Sequence, residues 1–159
     1  MIKIIYAVLL GVILALFIGL GIEAFYPTEK YPETPAALEL QYAKSDMSNP
    51  SAEQIKLQED YNQVTKDYNT RNAKHARNVS MFAIAGSIIL MALSLTIFSR
   101  KEVFSNGFLL GSLFTLMYGI MRGFESDDTK FRFIIVTVGL AVAMVLGYFK
   151  FLKHEEESK

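Results

Sequence analysis

The chain has no cysteine, no tryptophan and only two histidines, and its sixteen basic residues balance its sixteen acidic ones. The missing cysteine removes disulfide frameworks, thiolate metal sites, iron–sulfur clusters and thiol redox chemistry together. His75 lies between Lys74 and Arg77, and His154 adjoins Glu155, Glu156 and Glu157 in a polar tail. Neither has a second ligand at metal spacing, so no metal is expected. There is no serine–histidine–acid arrangement and no glycine-rich phosphate loop, and the reading is of a protein without enzymatic apparatus or cofactor. Scattered, balanced charge leaves no basic footprint for nucleic acid.

Charge is also almost absent from four long stretches, 4–25, 79–98, 103–121 and 131–152. An α-helix needs about 20 apolar residues to cross a hydrocarbon core about 30 Å thick. Each stretch meets or approaches that length, which predicts an all-α, integral membrane four-helix bundle with the lipid bilayer as its first partner. The first stretch is read as an uncleaved anchor, because a secretory signal has an apolar core of only about 7–15 residues. Phe25, Tyr26, Phe98, Phe104, Phe131 and Tyr148 fall near the expected interfaces, where aromatic rings anchor.

Lys3 precedes the first span while Glu23 and Glu29 follow it, so the positive-inside bias places both termini in the cytoplasm and residues 26–78 outside. Arg100, Lys101, Lys150 and Lys153 agree with that orientation; Arg122, Lys130 and Arg132 oppose it, offset in part by Glu125, Asp127 and Asp128. The compact loops fit a prokaryotic plasma membrane.

The insert 26–78 has two parts. In 26–35 three prolines block helix and ladder formation and predict an extended strap, followed by a short helix near 36–44. Asn49 and Pro50 offer a cap and a first helical residue, and neither proline nor glycine recurs until Gly86. A helical stalk over 50–78 is therefore expected to run on into the second span, as a long extramembrane extension of that helix. Leu57, Tyr61, Val64 and Tyr68 alternate steps of four and three, the seam of a coiled coil. Arg71, His75 and Asn78 continue the register as a polar end. The seam serves equally for packing on the strap of its own chain or for pairing with another chain.

Small residues recur every four positions in three spans: Ala7, Gly11, Ala15 and Gly19; Gly107, Gly111, Thr115, Gly119 and Gly123; Gly139, Ala143 and Gly147. Such stripes let backbones approach closely, which is how helices associate in lipid. Two stripes suffice to build the bundle, and a third is available for a homo-oligomer. Glu23 and Arg122 share one membrane boundary and are expected to pair there. The intramembrane polar groups are hydroxyls, including Ser80, Ser87, Ser94, Ser112, Thr115 and Thr137, which ordinarily bond a backbone carbonyl one turn back.

The leading functional reading is a non-enzymatic membrane protein that assembles with itself, or binds a partner at the stalk. Its rival is an oligomeric channel or small-solute pore lined by the third span, with Ser112 and Thr115 toward water. A small proton-coupled transporter would need a carboxylate embedded in the first span, and Glu23 stands at its edge.

Overall fold

The computed structural model describes residues 1–43, 51–98 and 100–149. Five helices follow in order: α1 (Ile2–Phe25), α2 (Ala36–Ala43), α3 (Ala52–Leu95), α4 (Glu102–Phe124) and α5 (Thr129–Gly147), with no strand among the described residues. Four of them, α1, α3, α4 and α5, are long and apolar enough to cross a membrane. The all-α bundle and the long second-span helix expected from the sequence are both present. The expected cap at Asn49 and Pro50, the residues 150–152 of the fourth span, Ser99 and the tail with Lys153 and His154 lie outside the described residues.

Local chemistry sets the helix ends. Ser51 and Gln54 form a reciprocal capping box at the start of α3: Ser51 N donates to Gln54 Oε1 at 2.7 Å, and Gln54 N donates to Ser51 Oγ at 3.3 Å. From there α3 continues for 44 residues. At about 1.5 Å per residue that is roughly 66 Å, twice what a hydrocarbon core requires. Helix α1 stops at Tyr26, whose φ of −138° and ψ of 70° lie outside the α region that Pro27 disfavours for the residue before it. Asp128 caps α5 by accepting from Lys130 N at 2.9 Å and Phe131 N at 3.3 Å.

The chain divides into two compact units, Met1–Pro27 with His75–Lys159, and Thr28–Lys74. In the first, α4 is the helix on which the others pack. Gly11 of α1 sits so close to α4 that a Cβ placed on it would lie 2.8 Å from Leu110 Cβ and 3.1 Å from the Gly107 carbonyl oxygen. Leu10 covers Gly107 and Leu14 covers Gly111, so α1 and α4 run parallel. Further along α4, Gly119 faces Ala83 and Ile84 of α3, and Gly123 faces Ser80 of α3 and Ile135 of α5. Ile120 lies over Gly139 of α5. Both α3 and α5 are thus antiparallel to α4, as four alternating spans require. A small apolar core of Ile84, Leu116 and Ile135, edged by Ile120, Phe131, Val138 and Val142, fills the space among α3, α4 and α5.

A methyl group at position 11 has backbone in its way, so Gly11→Ala is expected to cost about 1–3 kcal/mol of stability through overpacking. Gly19→Ala, with nothing within 4 Å of the new methyl, is expected to change stability by less than about 0.5 kcal/mol. Reversible denaturation in detergent micelles compares the two, and equal effects would count against the crossing.

Candidate functional site

The structure sorts the small-residue stripes by use. Ala7, Gly11, Gly107, Gly111, Thr115, Gly119, Gly123 and Gly139 are buried at helix contacts within the subunit. Ala15, Gly19 and Gly147 are half-buried and Ala143 is exposed, and no atom lies within 4 Å of where a Cβ would stand at Gly19 or Gly147. The stripe of α4 is thus consumed along its length, while those of α1 and α5 each leave their C-terminal halves open.

Intramembrane hydroxyls are spent on packing. Ser80, Ser87 and Ser94 recur every seven residues on α3, and each is at most 1% exposed. At the turn into α4, Ser94 Oγ donates to the Ser105 carbonyl at 2.7 Å and Ser105 Oγ returns a bond to the Ser94 carbonyl at 3.2 Å. Ser87, Ser112 and Thr115 donate to Ile84, Leu109 and Gly111 carbonyls at 2.7, 2.7 and 2.8 Å. Ser80 Oγ has no hydrogen-bond partner, and a side chain on Gly123 would stand 2.8 Å from it. The hydroxyls were visible in the sequence, and so was their spacing of seven; that the spacing forms a seam against α4 was missed, because it signifies only once the partner helix is known.

The boundary pair turns out differently from expectation. Arg122 Nη1 donates to Glu125 Oε2 at 2.6 Å, three residues along its own chain, instead of to Glu23. Beyond the Gly11 crossing α1 and α4 separate, and Glu23 is exposed at the rim of a groove of about 370 Å³ lined also by Val12, Ala15, Leu16, Gly19, Leu20, Phe114 and Tyr118. A local partner one turn away needs no approach of two helices. A second groove of about 330 Å³ opens at the other end of the same crossing, lined by Lys3, Ile4, Ala7, Glu102, Val103, Asn106, Leu109 and Leu110.

A clasp at the exit of α1 was not foreseen. The His75 ring stacks on Tyr26 with centroids 4.5 Å apart and planes 1° from parallel, and His75 Nε2 lies 2.9 Å from the Tyr26 carbonyl oxygen. A carbonyl only accepts, so Nε2 carries the hydrogen in this bond. Asn78 Nδ2 donates to the Tyr26 hydroxyl at 3.0 Å, and Phe82 meets the same ring edge-on at 6.3 Å. The sequence placed His75 and Asn78 at the polar end of the seam and Tyr26 among the interfacial anchors; no local pattern joins residues about fifty positions apart.

Unit Thr28–Lys74 is held by tyrosines. Tyr61 Oη and Thr34 Oγ1 are 3.1 Å apart, Tyr68 Oη donates to the Glu29 carbonyl at 3.3 Å, and Tyr31 meets Tyr68 edge-to-face at 5.1 Å. Arg71 Nε donates to Glu29 Oε2 at 2.9 Å, and this carboxylate raises the Arg71 pKa. Leu38 of α2 is completely buried. Of the expected seam, Leu57, Tyr61 and Tyr68 turn inward, whereas Val64 is 50% exposed and the Thr65 hydroxyl is buried in its place. The face advances by steps of four, four and three from Leu57, and its tyrosines pack on the proline-rich strap of the same chain. The Tyr61 hydroxyl raises the Tyr31 pKa, while the hydrogen bond from Thr34 lowers that of Tyr61.

Among the described residues no group of three His, Asp or Glu side chains converges as a metal site. Four apolar spans, three of them packed on the fourth, define an integral membrane helical-bundle protein. No protein-family model, curated protein or solved structure matches the chain.

Two substitutions test these contacts. His75→Ala is expected to lower stability by about 1–2 kcal/mol through loss of the stack and the hydrogen bond, and His75→Phe, which keeps the stack, by less; thermal melts of the detergent-solubilised chain rank them. Tyr61→Phe removes the neighbour that raises Tyr31, so the Tyr31 titration is expected to move down toward that of a free phenol. A raised pKa favours the folded state below the free-phenol value and loses that contribution as pH rises through the folded pKa, so the substitution removes Tyr31's contribution at lower pH and makes its share of the alkaline fall shallower. Near-UV tyrosinate absorbance and melts across that range read both effects.

Proposed function

We propose that this chain is a non-enzymatic membrane scaffold, which associates with further copies of itself through the small-residue faces left open on α1 and α5 and presents unit Thr28–Lys74 outside the bilayer to a protein partner. The observation that carries this reading is the division of labour among its small residues. The stripe of α4 is filled inside the subunit, whereas Ala15 and Gly19 on α1 and Ala143 and Gly147 on α5 are open on helices whose remaining surface is apolar. Helices in lipid associate through such faces by close packing. Positive-inside bias supports cytoplasmic termini and an extracytoplasmic unit.

An oligomeric pore would need hydroxyls turned to a water-filled axis. Ser112 and Thr115 are 3% and 1% exposed and bonded to carbonyls of their own helix, which leaves that reading without its lining residues. A proton-coupled transporter would need a carboxylate embedded at mid-span, and Glu23, the one acidic residue in the four apolar stretches, stands at the edge of the first.

Subunit counting in lipid nanodiscs tests the scaffold. The wild-type chain is expected as a dimer or larger ring, and Gly19→Leu or Gly147→Leu is expected to shift it toward monomer with little loss of fold, since neither side chain meets a neighbour in the subunit. A monomer at every protein-to-lipid ratio would remove self-assembly, and solute flux through reconstituted vesicles would restore the pore.

A further inference from the structure

The groove at the N-terminal end of the α1–α4 crossing has the features of a ligand site rather than of a helix contact. Its walls are apolar, from Ile4, Ala7, Val103, Leu109 and Leu110, and its mouth carries Lys3, Glu102 and the Asn106 amide. Lys3 and Glu102 belong to the opening residues of two parallel spans, so both stand at one membrane boundary, at headgroup depth. Among the described residues the salt bridges are Arg71–Glu29 and Arg122–Glu125, and Lys3 and Glu102 are in neither.

Size and charge together select the occupant. The groove volume is about 330 Å³, at the lower end of the roughly 300–1,000 Å³ of ligand clefts. Its apolar walls accept part of a flexible hydrocarbon chain. A cation and an anion in the lining of one groove complement a headgroup that carries both signs. The opposite groove offers Glu23 and the Tyr118 hydroxyl but no basic side chain in its lining.

We propose that the Lys3–Glu102 groove binds one ethanolamine phospholipid, with an acyl chain along Ile4, Ala7 and Leu110, its phosphate on the Lys3 ammonium and its own ammonium on the Glu102 carboxylate. The phosphate accepts hydrogen bonds from Lys3, and the primary amine donates to Glu102. A glycerol headgroup has the phosphate without the amine and leaves Glu102 facing a second negative charge. This site depends on neither self-association nor the extramembrane unit, and its bound lipid bridges the two parallel helices at the end where they begin to diverge.

The test uses the full chain, delipidated and returned to nanodiscs made of equal parts phosphatidylethanolamine and phosphatidylglycerol, followed by native mass spectrometry of lipid retained after gentle release. The wild-type chain is expected to keep a single lipid, with ethanolamine preferred over glycerol by roughly threefold, the scale of one boundary ion pair. Glu102→Gln is expected to erase the preference while retaining a lipid. Ile4→Trp, at a position 69% exposed and so outside the helix contact, is expected to fill the groove and remove retention of both, with the helical circular dichroism unchanged. Equal retention of the two lipids by the wild-type chain would overturn the proposal, as would a preference that survives Glu102→Gln. Ile4→Trp that leaves lipid retention intact, or that alters subunit number instead, would overturn it too, the latter by assigning the groove to a second copy.

Discussion

Backbone contact at the glycines of α4 is the constraint on which the bundle depends. Lipid tails are as apolar as the side chains they would replace, so burying leucine gives the helices little reason to associate. What remains is the dispersion gained when two backbones come within van der Waals reach, and that requires positions without a side chain on the contact line. Helix α4 has one such line along its length. Gly107 and Gly111 receive α1, Gly119 receives α3, and Gly123 lies between α3 and α5. The relative directions of the four spans follow from that single helix.

The same economy governs the polar atoms. With no water in the hydrocarbon region, an unpaired hydroxyl is costly, and the nearest acceptor is a carbonyl on the preceding turn. Ser87, Ser112 and Thr115 take that route, while Ser94 and Ser105 exchange bonds across the turn between α3 and α4. Small and self-satisfied, these residues allow α3 to approach α4 nearly as closely as glycine would.

Outside the membrane the physics is that of water-soluble folding. The three prolines of the strap forbid regular hydrogen bonding along it, so its backbone and side-chain groups are met by partners on α3: Tyr68 to the Glu29 carbonyl, Arg71 to the Glu29 carboxylate, Tyr61 to Thr34. Long tyrosine and arginine side chains reach across to an irregular strand that has no ladder of its own. The seam of Leu57, Tyr61 and Tyr68 was legible in the sequence as an apolar stripe, but its partner was not, because spacing along one helix is the same whether a strap or a second helix covers it. Thr65 in place of Val64 is the mark of that difference.

By itself the sequence determined the class of protein, the number of spans and the continuous α3, since hydrocarbon thickness and the absence of helix breakers act on the chain locally. It also determined that α1, α4 and α5 carry small-residue faces. Only the tertiary structure decided which of those faces are filled: the rotation of each helix about its axis and the angle at which α1 crosses α4 bring Gly11 into contact and leave Gly19 open. It decided as well that Arg122 turns to Glu125 and that His75 stacks on Tyr26. Those pairings join distant parts of the chain or choose between near and far partners, and the choice is made by where helices converge and where they separate, which no local pattern records.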